Sequence, residues 1–360
     1  MAMNPQKRAT LKEVARLAGV SYQTVSKVLN GQVQLPEVTE ARIWEAVRAL
    51  NYTPNHTARS LRSRRSHTIA YCWAPTATGQ ANPILDELLQ SMVQAAEQHG
   101  YYLLCFPNPP DPDRQREAYR ELIDSGRVDG FILSSVEYED PRILYLMERR
   151  FPFVAFGRSN PEYQFPSIDI DGGMGMLKVV RHLVERGHRR IAALTWPPES
   201  RVGANRISGF LQGLIEADIP PVPEWMERGE GVPSFGYQAT LRLLKLPEAM
   251  RPTAIVAFND AMALGAVRAA QQLGYRVGSD IAVTGFDDTP IARYTLPPLT
   301  SVRQPIWEVG ERLVNRLIAL LDHPEISSPY CELIEPELII RASSTGEETP
   351  LDQDHPYLYP

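Results

Sequence analysis

The spacing of apolar residues in the first fifty positions predicts three short helices. The second helix is predicted over residues 22–29 and the third over residues 38–50. In the first helix the apolar residues recur at i, i+3, i+4 and i+7, and they are Leu11, Val14, Ala15 and Ala18. In the second helix the inward residues are Val25, Val28 and Leu29.

Local signals predict where the first two helices begin and end. Thr10 and Glu13 form a T-x-x-E capping box, so the first helix should start at residue 11. Gly19 should stop this helix, and Ser21 can cap the next one after a short turn. Asn30 is followed by glycine, which is a turn signal at the end of the second helix.

Polar residues near the start of the second helix indicate contact with DNA. Tyr22, Gln23 and Lys27 are left on its outer face. A helix-turn-helix places such a helix in the major groove, where glutamine can pair with adenine and lysine can donate to guanine. The alternative is an ordinary three-helix bundle whose polar face is only solvated.

From residue 68 onward, apolar runs alternate with helical segments. The strands are predicted within residues 68–74, 101–106, 129–135, 152–157, 189–195, 253–259 and 280–286. The helices should begin near Pro83, Pro112, Asp140, Gly172, Arg201, Phe235 and Asp260. This alternation predicts an α/β fold with parallel sheets and helices on both faces. Two sets of strands, separated near residues 167–171, predict two doubly wound subdomains.

The distribution of charge distinguishes a head from a body. Residues 1–66 contain eleven Lys and Arg and four Glu, a net charge of +7; the whole chain carries −6, which leaves −13 for residues 67–360. A basic head on an acidic body confines the electrostatic footprint for nucleic acid to one end. Binding there should depend strongly on salt.

A basic segment, residues 52–67, lies between the head and the body. Its large apolar side chain Leu61 is surrounded by arginines, among them Arg59 and Arg62. This composition alone favours a flexible linker. The alternative is a short helix that folds on DNA, with Leu61 inserted between base steps of the minor groove and the arginines on phosphates.

Polar residues after the predicted strands are candidate ligand contacts, because ligands bind outside the carboxyl ends of such strands. The candidates after strands are Arg158, Asn259, Asp260, Asp287 and Asp288, and Arg206 early in the helix predicted near 201 is added to them. Carboxylates and arginine form paired hydrogen bonds that suit vicinal hydroxyl groups, and Trp73 or Trp196 offers a flat face to a sugar ring. Each polar residue alone could instead cap a helix or form an ion pair, and Asp260 is a plausible N-cap.

The remaining motifs indicate no catalytic residue, no metal site and no cofactor. The glycines at 172–175 do not follow GxGxxG, and the chain has no Walker loop or GxSxG elbow. His188 has no partner at ligand spacing, and Asp287 and Asp288 should point to opposite faces of their strand.

Cysteine usage and the absence of a long apolar run predict a cytoplasmic protein. Cys72 and Cys105 are expected in buried strands and Cys331 near a later one, without CxxC spacing, so we expect reduced thiols. There is no run of eighteen apolar residues, and the first residues lack the apolar region of a signal peptide.

Together these motifs resemble the lactose-repressor (LacI/GalR) family of bacterial transcription regulators. The resemblance runs over about residues 8–345 and rests on SYQTVS at 21–26, on NYTPNHTARSLRS and on the motifs downstream. It implies that bases are read by Tyr22, Gln23 and Lys27. It implies that phosphates are contacted by Thr10, Ser21, Thr24 and Asn30. It implies that a hinge helix enters the minor groove with Asn55, Ala58, Arg59 and Leu61.

The resemblance also implies a fold and domain boundaries. The fold would be an all-α helix-turn-helix domain, residues 1–53, and a hinge, 54–66, followed by a type I periplasmic-binding-protein-like core, 67–345. The first subdomain would comprise about 67–167 and 299–325, and the second about 168–298 and 326–345. Residues 346–360 would form a loosely ordered tail.

For the ligand, the resemblance favours Arg206, Asn259 and Asp287 as effector contacts, with Arg158 in a family FGR motif. Family members often have an aromatic residue over the ligand at the place of Gly231. Its absence here leaves the stacking role to Phe235 or Trp196.

We therefore expect a homodimeric repressor of carbohydrate-utilisation genes, bound to a pseudo-palindromic operator. A sugar or glycoside between the core subdomains would switch its operator affinity. One alternative is the same regulator with a purine or other non-sugar corepressor. Another is a sugar-binding or sugar-processing protein with a fused DNA-binding head.

Overall fold

The computed structural model describes residues 9–29, 33–52, 65–73, 82–109, 111–324 and 330–347. The chain divides into two compact units, Met1–Ser66 and His67–Pro360. Some predicted residues lie outside the described ranges, namely Asn30, Asn55, Ala58, Arg59, Leu61 and most of the predicted tail.

In the described part of the first unit there are three helices, α1 (Leu11–Ala18), α2 (Tyr22–Leu29) and α3 (Glu37–Ala49). Their apolar faces pack into one core, which includes Val14, Val25 and Ile43, each fully buried. Leu29, predicted inward, is half-buried and packs against this core. The third helix begins one residue earlier than predicted.

The first sheet of the second unit has six parallel strands in the order β11-β5-β4-β3-β1-β2. The strands are β1 (Thr68–Trp73), β2 (Tyr102–Pro107), β3 (Gly130–Leu133), β4 (Phe153–Phe156), β5 (Ser167–Ile170) and β11 (Cys331–Ile334). Within the described ranges, four helices pack on the two faces of this sheet, α4 (Pro83–Gln98) and α11 (Ile306–Asp322) on one and α5 (Pro112–Asp124) and α6 (Pro141–Arg149) on the other. We call the first sheet and these four helices the first lobe.

The second sheet has the strand order β12-β10-β9-β8-β6-β7; among its described strands β12 runs antiparallel to β10 and the other pairs are parallel. Its strands are β6 (Ile191–Thr195), β7 (Met226–Arg228), β8 (Ala254–Ala257), β9 (Ala282–Asp287), β10 (Thr300–Arg303) and β12 (Glu337–Ile339). The helices of this part are α7 (Gly172–Glu185), α8 (Arg201–Glu216), α9 (Pro233–Leu244), α10 (Asp260–Gln272) and α12 (Ala342–Thr345). We call this part the second lobe.

The predicted α/β class and the two parallel-dominated sheets are confirmed, but the predicted subdomain boundaries are wrong for three strands. Residues 300–303 were assigned to the first subdomain, yet β10 pairs with β9 of the second sheet. Residues 331–334 were assigned to the second subdomain, yet β11 pairs with β5 of the first sheet. The boundary at 167/168 would also cut β5. Backbone pairing decides which sheet a strand joins, and the apolar pattern of a strand does not record its partner.

Two local predictions are also corrected by the structure. Cys105 is exposed rather than buried, because β2 is the edge strand of its sheet and is covered less than β1. Helix α9 begins at Pro233, two residues before the predicted start, since proline suits the first position of a helix.

Candidate functional site

The first helix of the head begins with the predicted capping box. The backbone N–H of Thr10 donates to Glu13 Oε2 at 2.7 Å, and the Glu13 N–H donates to Thr10 Oγ1 at 3.4 Å. Gly19 ends the helix in the left-handed conformation, with φ 63°. The predicted start and end of the first helix are thus both present in the structure.

The second helix presents three polar side chains to solvent. Tyr22, Gln23 and Lys27 are all exposed, while Val25 between them is fully buried. Their hydrogen-bonding groups are therefore available on one surface, as expected for side chains that read base edges.

Hydroxyl groups predicted to contact phosphates also stabilise the two helix starts. Ser21 Oγ accepts the N–H of Thr24 at 3.0 Å, and the two hydroxyls lie 2.7 Å apart. Thr10 Oγ1 donates to Glu13 Oε2 at 2.9 Å. Thr10 and Ser21 are thus capping residues in the structure, and the contact of these hydroxyl groups with phosphate remains a prediction.

In the second unit, Arg206 of α8 is the cation around which several of the candidate ligand contacts lie. Its side chain is nearly fully buried, with Cζ 3.5 Å from the ring centroid of Phe286 and 4.9 Å from that of Trp196. It donates to the carbonyl of Phe258, and Nη2 lies 3.6 Å from Asp287 Oδ1. Burial lowers the pKa of this guanidinium, and the Asp287 carboxylate opposes that shift. Among the described residues its Nε has no hydrogen-bond partner.

Asp287 ends strand β9 with an unusual backbone. Its φ of 113° lies in the region that favours glycine. Its Oδ1 accepts from Gln304 Nε2 at 2.7 Å. Burial raises the pKa of Asp287 to about 6, although Arg206 acts in the opposite direction. The residue with the strained backbone is therefore the one whose carboxylate lies beside Arg206.

Asp260 has a structural role that the sequence did not predict. One carboxylate oxygen accepts the N–H and hydroxyl of Thr289, at 2.7 and 2.8 Å, and the other accepts the Ser301 hydroxyl at 2.6 Å. Burial raises the pKa of Asp260 to about 7. It is not the N-cap of α10, because Asn259 occupies that position and accepts the N–H of Met262. Its predicted contact with an effector stays a prediction.

The loop at Gly231 explains which aromatic residue lies beside Arg206. The Asn259 Nδ2 donates to the carbonyl of Gly231 at 2.9 Å. A Cβ atom on Gly231 would lie 2.6 Å from Nε1 of Trp196, so a side chain there would displace the indole. Phe235 instead lies over Gly229, away from this contact. Of the two candidates for the stacking role, Trp196 is therefore the one next to the guanidinium.

Arg158 lies in the first lobe and pairs with an acid that the sequence prediction missed. Its Nε donates to Asp169 Oδ2 at 2.7 Å, and within the described residues its Nη2 has no partner. Burial raises the pKa of Asp169 despite this cation. The alternation in β5, where Asp169 stands between buried Ile168 and Ile170, was the available signal.

Asp288, also considered as a ligand contact, is a buried structural acid. It accepts Arg303 Nε at 2.8 Å and Arg341 Nη1 at 2.6 Å. These bonds join β10 to the segment before α12. Asp287 and Asp288 therefore have separate partners, Gln304 and Arg206 for the first and Arg303 and Arg341 for the second.

No helix within the described ranges has the length and apolar character needed to cross a membrane. This finding bears only on those helices.

Two family profiles match the chain. One, described as bacterial regulatory proteins of the lacI family, matches residues 10–55. The other, described as a periplasmic binding protein-like domain, matches residues 180–344. The first profile covers the helical head. The second covers most of the second lobe, together with helix α11 and strand β11 of the first lobe.

A curated relative over nearly the whole length is the HTH-type transcriptional repressor PurR of Photorhabdus laumondii. It is 35% identical over 338 residues, which are 93% of this chain and 96% of that protein. PurR of Proteus mirabilis is equally similar, with 35% identity over 338 residues.

Solved structures of similar fold are also regulators. A LacI-family regulatory protein from Chloroflexus aggregans is 47% identical, with a TM-score of 0.73 over 78% of this chain and 99% of that chain. The lac repressor dimer bound to operator and the anti-inducer ONPF is 30% identical, with a TM-score of 0.81 over 94% and 100%. The CelR–cellobiose complex is 30% identical, with a TM-score of 0.70 over 93% and 100%.

Proposed function

The chain belongs to the lacI family of bacterial regulatory proteins, it is a DNA-binding transcriptional repressor and not an enzyme, and we propose that a small molecule bound between its lobes switches it. The observation that carries this proposal is the buried Arg206–Asp287 pair at the carboxyl ends of the second sheet. Binding there changes the relation of the lobes, and with it the affinity for operator DNA. The coupling required is about 1–3 kcal/mol.

For the effector we propose a sugar or glycoside. Arg206 and Asp287 supply a fork of donors and an acceptor for neighbouring hydroxyl groups, and Trp196 supplies a flat apolar ring. The solved CelR complex with cellobiose supports a sugar. The relatives named PurR support the second candidate, a purine corepressor, whose planar ring would also suit Trp196.

A thermal-shift experiment on the full chain distinguishes the two effector classes. One panel contains mono- and disaccharides, and the other contains purine bases and nucleosides. A true effector at a hundred times its Kd should stabilise the fold by about 2.7 kcal/mol. A shift with sugars alone supports the first candidate and a shift with purines alone the second; no shift with either panel would reject a site for these ligands.

On the DNA side, we propose that Tyr22, Gln23 and Lys27 read bases and that residues 55–61 form a minor-groove hinge. The exposure of the three side chains supports the first part, and the basic composition around Leu61 supports the second. Leu61→Ala should weaken binding to the operator while leaving binding to unrelated DNA unchanged in a salt titration. Equal losses on both DNAs would reject the hinge insertion.

We further propose that the repressor is a homodimer on a pseudo-palindromic operator. The segment after β9 exposes large apolar side chains, with Ile291 52%, Tyr294 73% and Leu296 80% exposed. Such a patch is typical of a protein interface. Sedimentation of Tyr294→Asp/Leu296→Asp should show monomers, whereas Ile215→Asp, which is 69% exposed on α8, should not. A monomeric unmodified chain would contradict the proposal.

A further inference from the structure

The two lobes contact each other through Glu137 and Arg201. Glu137 lies in the loop 134–140 that follows β3 of the first lobe, and Arg201 is the first residue of α8 in the second lobe. The backbone N–H of Arg201 donates to Glu137 Oε2 at 2.6 Å. The Arg201 guanidinium lies 5.5 Å from the ring centroid of Tyr138, also in the first lobe. Both contacts join the carboxyl edges of the two sheets.

Glu137 completes the N-terminus of a helix to which it does not belong. Within the second lobe, Ser200 is the N-cap and accepts the N–H of Gly203 at 3.2 Å. The N–H of Arg201 is one of the donors that a helix start leaves without an intrahelical acceptor. A carboxylate is favoured there by the helix dipole as well as by the hydrogen bond. The first lobe therefore supplies half of the cap of α8.

The loop that carries Glu137 is held in a fixed conformation. Arg142 and Asp140 form a buried pair at 2.6 Å, and Arg142 Nη2 also donates to the carbonyls of Ser134 and Ser135, at 3.0 and 2.9 Å. The Ser159 hydroxyl donates to the carbonyl of Glu137 at 2.7 Å. Ser135 has a φ of 51°, which such a network can maintain.

We propose that Glu137 is an interlobe latch: it holds the lobes together in the effector-free repressor by capping α8 across the cleft. The equilibrium between closed and open lobes then favours the closed arrangement before any ligand binds, and an effector shifts that equilibrium. Because a charge-assisted hydrogen bond of this kind is strong for a single contact, its loss should lower the ratio of closed to open chains about tenfold. The proposal does not depend on which effector the repressor binds.

At the start of α8 the backbone N–H of Arg201 can be removed by a single substitution. Arg201→Pro deletes the N–H, and proline is favoured at the first position of a helix. Ser200 has φ −69° and ψ 119°, the extended conformation that a residue before proline adopts, so the change should not disturb the backbone. Arg201→Ala is its matched control, since it removes the side chain and keeps the N–H.

Glu137 itself has a matched control in the same loop. Glu137→Ala removes the acceptor. Glu139→Ala removes an exposed carboxylate two residues away, whose side chain bonds to none of the described residues, while its backbone N–H keeps its bond to Asn160. The buried Arg142–Asp140 pair maintains the loop in both variants.

The test measures the distance between the lobes in the full-length, effector-free chain. Spin labels are placed on a cysteine at Glu148 of α6 and one at Gln238 of α9, both exposed, with Cys105 and Cys331 changed to serine. Labelled chains are diluted with unlabelled ones, so that pulsed electron paramagnetic resonance reports distances within one chain.

Glu137→Ala and Arg201→Pro should both move the distribution to longer distances, with about a tenfold loss in the ratio of short to long distances. Glu139→Ala should leave the distribution unchanged, and Arg201→Ala should retain the short distance. Unchanged distributions in Glu137→Ala would overturn the latch. So would an equal opening in Arg201→Ala and Arg201→Pro, because it would assign the contact to the Arg201 side chain. If Arg201→Pro does not fold, the comparison of Glu137→Ala with Glu139→Ala still tests the latch.

Discussion

Arg206 Nη2 and Asp287 Oδ1 are separated by 3.6 Å, and this pair joins helix α8 to the end of strand β9. The separation is longer than a normal N–H···O hydrogen bond, so the two charges attract each other while each group can still form a hydrogen bond with a ligand. Among the described residues, Arg206 Nε also has no hydrogen-bond partner. A ligand hydroxyl that accepts from Arg206 and donates to Asp287 would satisfy both groups at once.

We predict that Arg206→Lys reduces the ligand-induced thermal shift, because an ammonium cannot replace the planar fork of donors. For Asp287 the useful change is asparagine, since alanine would leave the buried guanidinium without its partner and destabilise the chain. Calorimetric titration with whichever panel compound shifts Tm should show at least a tenfold weaker Kd for both variants. Operator binding without ligand should persist.

The matched control is Arg276→Lys, an exposed arginine of the same lobe that pairs with Asp280. It should leave the affinity for the ligand unchanged. A normal affinity in Arg206→Lys would remove Arg206 from the effector site.

A second prediction concerns the pH dependence of stability. Burial raises the pKa of Asp260 to about 7 and that of Asp287 to about 6, above the ordinary value of 3.8. Between about pH 4 and 7 the folded chain therefore retains protons that the unfolded chain has lost. Their contribution to the free energy of unfolding is present at low pH and falls as the pH rises through this window.

Asp260→Asn imitates the protonated acid, because its oxygen can accept from Thr289 and its amide can donate to Ser301. In scanning calorimetry, the Tm of Asp260→Asn minus the Tm of the unmodified chain should therefore be larger at pH 8 than at pH 5. Asp280→Asn is the control, since Arg276 lowers the pKa of Asp280 to about 2, outside the window. The same Tm difference at both pH values for Asp260→Asn would contradict the assignment.

The sequence predicted the parts of the fold that depend on neighbouring residues. Thr10, Gly19 and Ser21 were identified as helix ends because capping acts over three or four positions. The sheet that β10 joins depends on its pairing with β9, and that of β11 on pairing with β5, far away in the chain. No local pattern records those partners.

The same distinction applies to the candidate site. Asp287 was predicted from its place after a strand and Arg206 from its place early in a helix, the family resemblance favoured both, and the structure brings them together. The sequence could not show that Asp260 is bound by Thr289 and Ser301, since these residues lie 29 and 41 positions away. It also left Trp196 or Phe235 for the stacking role, and the closeness of Trp196 to Arg206 together with the space above Gly231 distinguishes them.

A third prediction tests whether Thr10 is a cap, a phosphate contact or both. Thr10→Ala removes the acceptor of the Glu13 N–H and should destabilise α1 by about 1 kcal/mol. Hydrogen exchange in the N-terminal helix of the DNA-free full chain should then be several times faster. Thr10→Ser retains the hydroxyl and should exchange at the normal rate. Unchanged exchange in Thr10→Ala would leave this residue with a role in DNA binding alone.

The last prediction concerns base reading by Gln23. This side chain is exposed beside Tyr22 and Lys27 on α2, and the helix does not need it for packing. Gln23→Ala should therefore leave the fold intact and cost about 1–3 kcal/mol on an operator selected from random DNA by the unmodified chain.

The measurement is fluorescence anisotropy at several salt concentrations on that operator and on unrelated DNA. Because a base contact releases no phosphate counterion, Gln23→Ala should keep the salt dependence. Lys12→Ala removes an exposed cation of α1 that carries no base-reading prediction, and it should leave the preference between the two DNAs unchanged. If Gln23→Ala weakens binding to both DNAs equally, Gln23 does not read bases, and the specificity of α2 must come from Tyr22 and Lys27.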